Sequence, residues 1–195
     1  MKKWVIGVAL VSMMGSAQAA EGPNWDSAGF SYISSDLDGD VFDGFGVSLS
    51  KGLGEHILIS TSYATQTTQL DIYDVEINAG FDTWDIGLGY RYGLTDSTDL
   101  YGKVNYEYEE ADINVVGFSE KFSEDGYTVQ AGVRSMVTDK LELNGDVAFE
   151  DFDGSTDTIF TVGLMYYLVS DFGVGAAYSV EDNVNTYALT AAVFF

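Results

Sequence analysis

Trp84-Asp85-Ile86-Gly87-Leu88-Gly89-Tyr90-Arg91-Tyr92-Gly93 is the stretch from which the fold can be read. Bulky apolar and aromatic side chains occupy every second position, and Asp, Gly and Arg fill the positions between. That strict period of two is the mark of a β-strand with two unlike faces. The next segment repeats it. Leu100, Gly102, Val104, Tyr106 and Tyr108 share one face, while Tyr101, Lys103, Asn105, Glu107 and Glu109 share the other.

Working outward, alternation recurs at 127–137, 141–150, 158–168, 172–181 and 187–195, with weaker candidates at 26–34, 41–51 and 56–66. The connections fall into two alternating kinds. Gly52–Glu55, Thr95–Asp99, Thr138–Lys140 and Ser170–Asp171 have the Gly, Asp, Ser and Thr content of tight turns. The others, about 35–40, 67–80, 110–126, 151–157 and 182–185, are mostly acidic, and two are long. Four short turns and five other connections predict ten strands with both chain ends on the short-turn side. Eight is the alternative if 26–34 and 41–51 are not both barrel strands.

The composition narrows the classes. The 195 residues carry 31 acids against 8 bases, a formal charge of −23. A phosphate backbone would meet no Lys/Arg footprint, so nucleic-acid binding is excluded. With 46% hydrophobic and 14% aromatic residues, the chain is not disordered either. It has no cysteine, hence no disulfide framework and no thiolate chemistry. The first residues read differently from the rest: Met1-Lys2-Lys3 is basic, Trp4 to Met14 is apolar, and Ala17-Gln18-Ala19 places small residues for a signal peptidase. Residues 1–19 are thus expected to be a secretory signal peptide, and residues 20–195 a single exported barrel domain.

Alternation alone would also suit a soluble barrel, but three features turn the apolar face outward to lipid. The polar face is largely small, as a narrow lumen requires. Aromatic residues gather toward strand ends, as at a lipid–water boundary. The segments run about 9–11 residues, the length of a tilted strand that crosses a bilayer. Closing the sheet removes the unpaired edges that hydrocarbon would not tolerate. The fold class expected is therefore all-β: a closed antiparallel up-and-down transmembrane barrel.

The ending, Tyr187, Leu189, Ala191, Val193 and terminal Phe195 on one face, resembles the C-terminal signature of Gram-negative outer-membrane β-barrel proteins. With the leader and the hairpin pattern, the mature chain is similar to the small outer-membrane β-barrel family of the OmpA-barrel, OmpX or Ail type. The resemblance implies that the barrel-assembly machinery reads the terminal strand. It also implies that short turns face the periplasm and that longer acidic loops face outside.

On that topology Arg91, Lys103 and Arg134 lie on the inward phase of three successive strands, with Glu142 on the fourth. Asp85, Glu107, Glu109, Asp146 and Glu150 share the inward phase. Charges in a narrow lumen must pair, so these nine are expected to form an ionic and hydrogen-bonded filling. The alternative is a narrow cation-preferring pore, since inward carboxylates outnumber inward bases. Asp36, Asp38 and Asp40 have the spacing of carboxylate ligands for calcium, but the order of the EF-hand loop is broken, and a solvated turn is the simpler reading. His56, the one histidine, follows a short turn, away from the outer rim where lipid-modifying barrels keep their catalytic groups. No enzyme, cofactor or metal is therefore expected. The role expected is structural or cell-surface interaction by a monomer. The five outer connections hold fifteen acids against one base, Lys121. Such a rim should associate with anionic lipopolysaccharide only through bridging Mg²⁺ or Ca²⁺.

Overall fold

A computed structural model describes residues 22–72, 75–115 and 118–195; the leader expected at 1–19 lies outside the described residues. Ten strands form in chain order. They are β1 (Ser27–Leu37), β2 (Asp40–Leu53), β3 (Ile57–Ile72), β4 (Val75–Thr95) and β5 (Thr98–Val115). There follow β6 (Phe118–Thr138), β7 (Leu141–Phe152), β8 (Ser155–Val169), β9 (Phe172–Glu181) and β10 (Val184–Phe194). Each strand pairs antiparallel with its sequence neighbours. The sheet closes where β1 meets β10, from Ser27 opposite Phe194 to Leu37 opposite Val184. Ten strands, rather than eight, build the barrel.

The faces fall as the alternation requires. Trp84, Ile86, Leu88, Tyr90 and Tyr92 all point out of the barrel and are exposed, Leu88 by 60%. Their neighbours Gly87 and Gly89 are buried toward the axis. An apolar belt of this kind surrounds the whole molecule: Phe45, Val47 and Leu49 on β2, Val104 on β5, Val129 on β6, Val162 on β8 and Leu189 on β10 are all exposed. A soluble barrel would show the reverse, with its bulky residues inside. Tyrosine hydroxyls mark one rim of the belt: Tyr32 donates to Asp43 Oδ1 (2.7 Å), Tyr63 to Asp82 Oδ1 (2.9 Å) and Tyr178 to Asn185 Oδ1 (2.6 Å).

The two ends differ. The proximal end carries the start of β1, the end of β10 and the four short turns. At the distal end, the turns of β1–β2 and β7–β8 are Asp-Gly pairs. Asp38 and Gly39 have φ of 53° and 99°, and Asp153 and Gly154 have 51° and 80°. Both residues of such a hairpin turn need positive φ, which Asp-Gly tolerates best.

One expectation is corrected here. Within the long acidic connections expected at 67–80 and 110–126, every described residue lies in a strand: β3 and β4 pair continuously from Ile57–Tyr90 to Ile72–Val75, and β5 and β6 from Thr98–Ser135 to Val115–Phe118. With 21 residues each, β4 and β6 are roughly twice the length a tilted strand needs to cross a bilayer. Strands β3 to β6 therefore rise past the belt as a wing on one side of the barrel. Along the wing the chemistry of the faces inverts while the register runs on. The lumen-facing phase now holds Ile77, Ala79, Phe81, Ala111, Ile113, Phe118 and Phe122, and the outward phase holds Asp82, Glu110, Asp112, Lys121 and Asp125. Water, not lipid, meets the outer side there.

Candidate functional site

All nine charges expected on the inward phase lie on the inner side of the barrel, in groups at successive levels along its axis. The proximal group is built around Arg134 and Glu142, 4% and 3% exposed. Arg134 Nε and Nη2 donate to the two carboxylate oxygens of Glu142 at 2.6 and 3.1 Å, a bidentate pair. Tyr167 Oη, from β8, donates to Glu142 Oε2 at 2.6 Å. The other face of the guanidinium is covered by Trp25, whose ring centroid lies 4.2 Å from Arg134 Cζ. Trp25 precedes β1, yet it is buried inside the proximal mouth. Its Nε1 donates to Asp99 Oδ2 at 2.8 Å, and its ring meets Tyr101 edge-on at 5.2 Å. Tyr167 also packs on Phe194 at 5.2 Å, within an apolar cluster of Met165, Ala177 and Ala192.

Arg91 stands apart at the mouth. Its Nε donates to the carbonyl of Glu55 at 2.9 Å, so it clasps the β2–β3 turn, and its Nη1 lies 3.7 Å from Asp99 Oδ2.

The middle of the lumen is a hydrogen-bonded layer. Tyr101 crosses the β6 neighbour Gly132 to donate to Asp146 Oδ2 at 3.1 Å. A Cβ at 132 would lie 2.6 Å from Asp146 Cβ and 2.7 Å from Tyr101 Oη, so only glycine leaves the ring this path. Gln130 donates to Asp146 Oδ1 (2.8 Å), Thr128 to Glu107 Oε1 (2.5 Å) and Ser62 to Asp85. Lys103 is the cation of this layer, in the field of Asp85, Asp146 and Glu107. The space left beside it is a cavity of about 60 Å³, and a second of about 20 Å³ lies beside Trp25 and Arg134. These hold a few waters at most.

Above this layer Glu109, Glu150 and Glu181 are buried. The next inward residues toward the distal end are apolar: Phe152 follows Glu150, and Phe81, tilted against Phe42 at 5.0 Å, follows the β4 partner of Glu109. Sequence reading missed Trp25, which precedes β1. It also passed over Tyr167 and Glu181, although both sit on the inward phase and could have been counted.

The remaining candidates are placed as follows. Tyr187, Leu189, Ala191, Val193 and Phe195 face outward along the closing strand. Lys51 Nζ stands 5.3 Å from the Phe195 ring centroid and pairs with Asp26. His56 stacks on Tyr90 at 5.2 Å, with Nδ1 3.2 Å from the Arg91 carbonyl oxygen. Asp36 accepts from the Gly39 N–H at 2.8 Å within the β1–β2 turn. Among the described residues, no three Asp, Glu or His side chains are gathered as a metal would require. On the outer side of the wing, a hydrogen bond from Lys121 to Glu110 raises the ammonium above its ordinary pKa.

A lipid-facing belt around a closed sheet defines an integral membrane β-barrel. The chain matches the "Outer membrane protein beta-barrel domain" over residues 5–167 and belongs to that family, whose place is the outer membrane. No curated protein matches it in sequence. Among solved structures it resembles the KdgM porin (12% identity, 86% of this chain and 99% of that one, TM-score 0.52) and the NanC porin (9%, 85% and 99%, TM-score 0.53). Ail, the attachment invasion locus protein of Yersinia pestis, is 16% identical over 94% of this chain and 100% of that one, with a TM-score of 0.49. At such identities the likeness to the two porins is one of fold.

Proposed function

We propose that this protein is a sealed, non-enzymatic outer-membrane barrel that serves as a structural element and presents its distal wing to the cell's surroundings. Residues 1–19 direct export, the C-terminal strand is read by the barrel-assembly machinery, and the monomeric barrel sits with its proximal end in the periplasm. The observation that carries the sealed reading is the stack Trp25–Arg134–Glu142–Tyr167, whose members touch one another inside the barrel and leave beside Trp25 and Arg134 a cavity of only about 20 Å³. KdgM and NanC are porins, and a pore is the competing reading for this chain. The close-packed lumen favours the plug. Recordings from the refolded protein in planar bilayers decide between them. Only the bare-bilayer baseline is expected; a stable cation-selective conductance that changes in Glu107→Gln would overturn the plug.

The outward carboxylates just above the tyrosine rim, among them Asp43, Asp82, Glu110, Asp125 and Asp151, support a second element of this reading. They would meet lipopolysaccharide phosphates at the same level, where like charges repel unless Mg²⁺ or Ca²⁺ bridges them. Co-purifying lipopolysaccharide is expected to fall away on chelation and return with Mg²⁺. Retention in excess chelator would remove the bridge from the account.

A further inference from the structure

The inner face of the wing is apolar and open. Ile113, Phe118 and Phe122 are 39%, 60% and 50% exposed, although they continue the phase that faces the lumen lower down. The Tyr63 rim meets β6 at Asp125, through Trp84 and Tyr108, and Phe122 and Phe118 lie three and seven residues beyond it, roughly 10 and 23 Å along the strand, so the patch stands above the rim and, facing inward, is not covered by lipid. Carboxylates are interleaved with the rings on the same phase, Glu120 between Phe118 and Phe122 and Glu124 beyond. The distal segments hold a single base, Lys121, which points to the other side and is engaged by Glu110.

Charge selects the occupant. A second copy would bring an equally acidic wing, and a lipopolysaccharide phosphate or other anionic glycan would be repelled. What the face complements is a chain with apolar side chains for the phenylalanines and ammonium or guanidinium groups for the carboxylates. We propose that the inner face of the β3–β6 wing is a docking surface for a cationic amphipathic peptide segment, with Phe118 and Phe122 as anchors and Glu120 and Glu124 as the charged rim. This rests on the display role proposed above, but not on the sealed lumen.

The probe is a fluorescein-labelled peptide of Lys, Leu and Phe in amphipathic order, titrated onto the barrel in phosphatidylcholine nanodiscs, with empty nanodiscs as the baseline. Two control peptides carry Ser for Leu and Phe, or Glu for Lys. Saturable binding above the baseline is expected for the first peptide alone. It should weaken at least about tenfold in Phe118→Ser/Phe122→Ser, the loss of two anchoring contacts. In Glu120→Gln/Glu124→Gln it should weaken and lose much of its salt dependence. Both pairs sit on the wing above the belt, and an unchanged heat-dependent shift in electrophoretic mobility verifies that each variant is folded. The proposal is overturned if binding does not exceed the baseline, if the Phe variant binds as tightly as the parent, or if the Glu peptide binds equally well. A conducting barrel that still binds through Phe118 would refute the sealed lumen and leave the docking surface standing. A silent barrel that ignores the peptide would do the opposite.

Discussion

Arg134→Met is expected to destabilise the barrel by about 3–5 kcal/mol, the usual cost of stripping one partner from a buried ion pair. The magnitude follows from what Glu142 would have left. At 3% exposure it has no route to bulk water, and its remaining donor would be Tyr167 Oη, which covers one oxygen. The methionine also forfeits the cation–π contact with Trp25, which in turn loosens the proximal plug. Unfolding by guanidinium in lipid vesicles, followed by tryptophan fluorescence and by the mobility shift on heating, measures the loss. Arg134→Met/Glu142→Gln should recover most of it, because the cost lies in an orphaned charge rather than in the missing pair. Arg134→Lys should fall between, keeping the charge but not the bidentate fork. A loss below about 1 kcal/mol, the range of solvated pairs, would mean that water reaches the site and the lumen is not sealed there.

How much of this could be read from the sequence depended on whether one phase kept one chemistry. Within the belt it does: even positions of β4 and β5 and odd positions of β6 are bulky, their neighbours are small or charged, and both the faces and the nine inward charges follow directly. Above the belt the phases exchange chemistry. Apolar residues move to 77, 79 and 81 on β4, to 111 and 113 on β5, and to 118 and 122 on β6. A pattern whose parity flips looks like a strand that has ended, so the sequence predicts loops where the wing stands. The cause is a change of solvent, which turns the polar side outward while the hydrogen-bonded ladder runs on. Which inward charges meet was not legible, because strand register and side-chain reach decide it. Alternation gives the phase but not the Tyr101 path over Gly132, nor the close approach of Arg134 and Glu142 across neighbouring strands. Trp25 is hard to single out for a different reason: it shares the buried phase of Ser27 but precedes the first strand, and no pattern tells a plugging ring there from an ordinary lead-in residue.

The belt itself makes the sharpest distinction between membrane and water. Leu88 lies midway between Trp84 and Tyr92, on the outer face and 60% exposed, where a soluble protein would accept a charge at almost no cost. In a bilayer, Leu88→Arg is expected to cost about 2–4 kcal/mol, the value for arginine at the midplane of a lipid-facing strand. Tyr92→Arg, two outward positions nearer the proximal rim, should cost only about 0–1 kcal/mol of charge penalty by the same depth dependence, besides the lost tyrosine contacts. Parallel unfolding titrations in vesicles of the parent, Leu88→Arg and Tyr92→Arg read the gradient, and Leu88→Ala subtracts the loss of side-chain packing. Vesicles with thinner hydrocarbon should shrink the Leu88→Arg penalty, because a shorter reach brings the guanidinium to the headgroups. Equal small costs at 88 and 92 would place water, not lipid, against this face. The assignment of the belt, and with it the division between lipid-facing barrel and water-facing wing, would then fall.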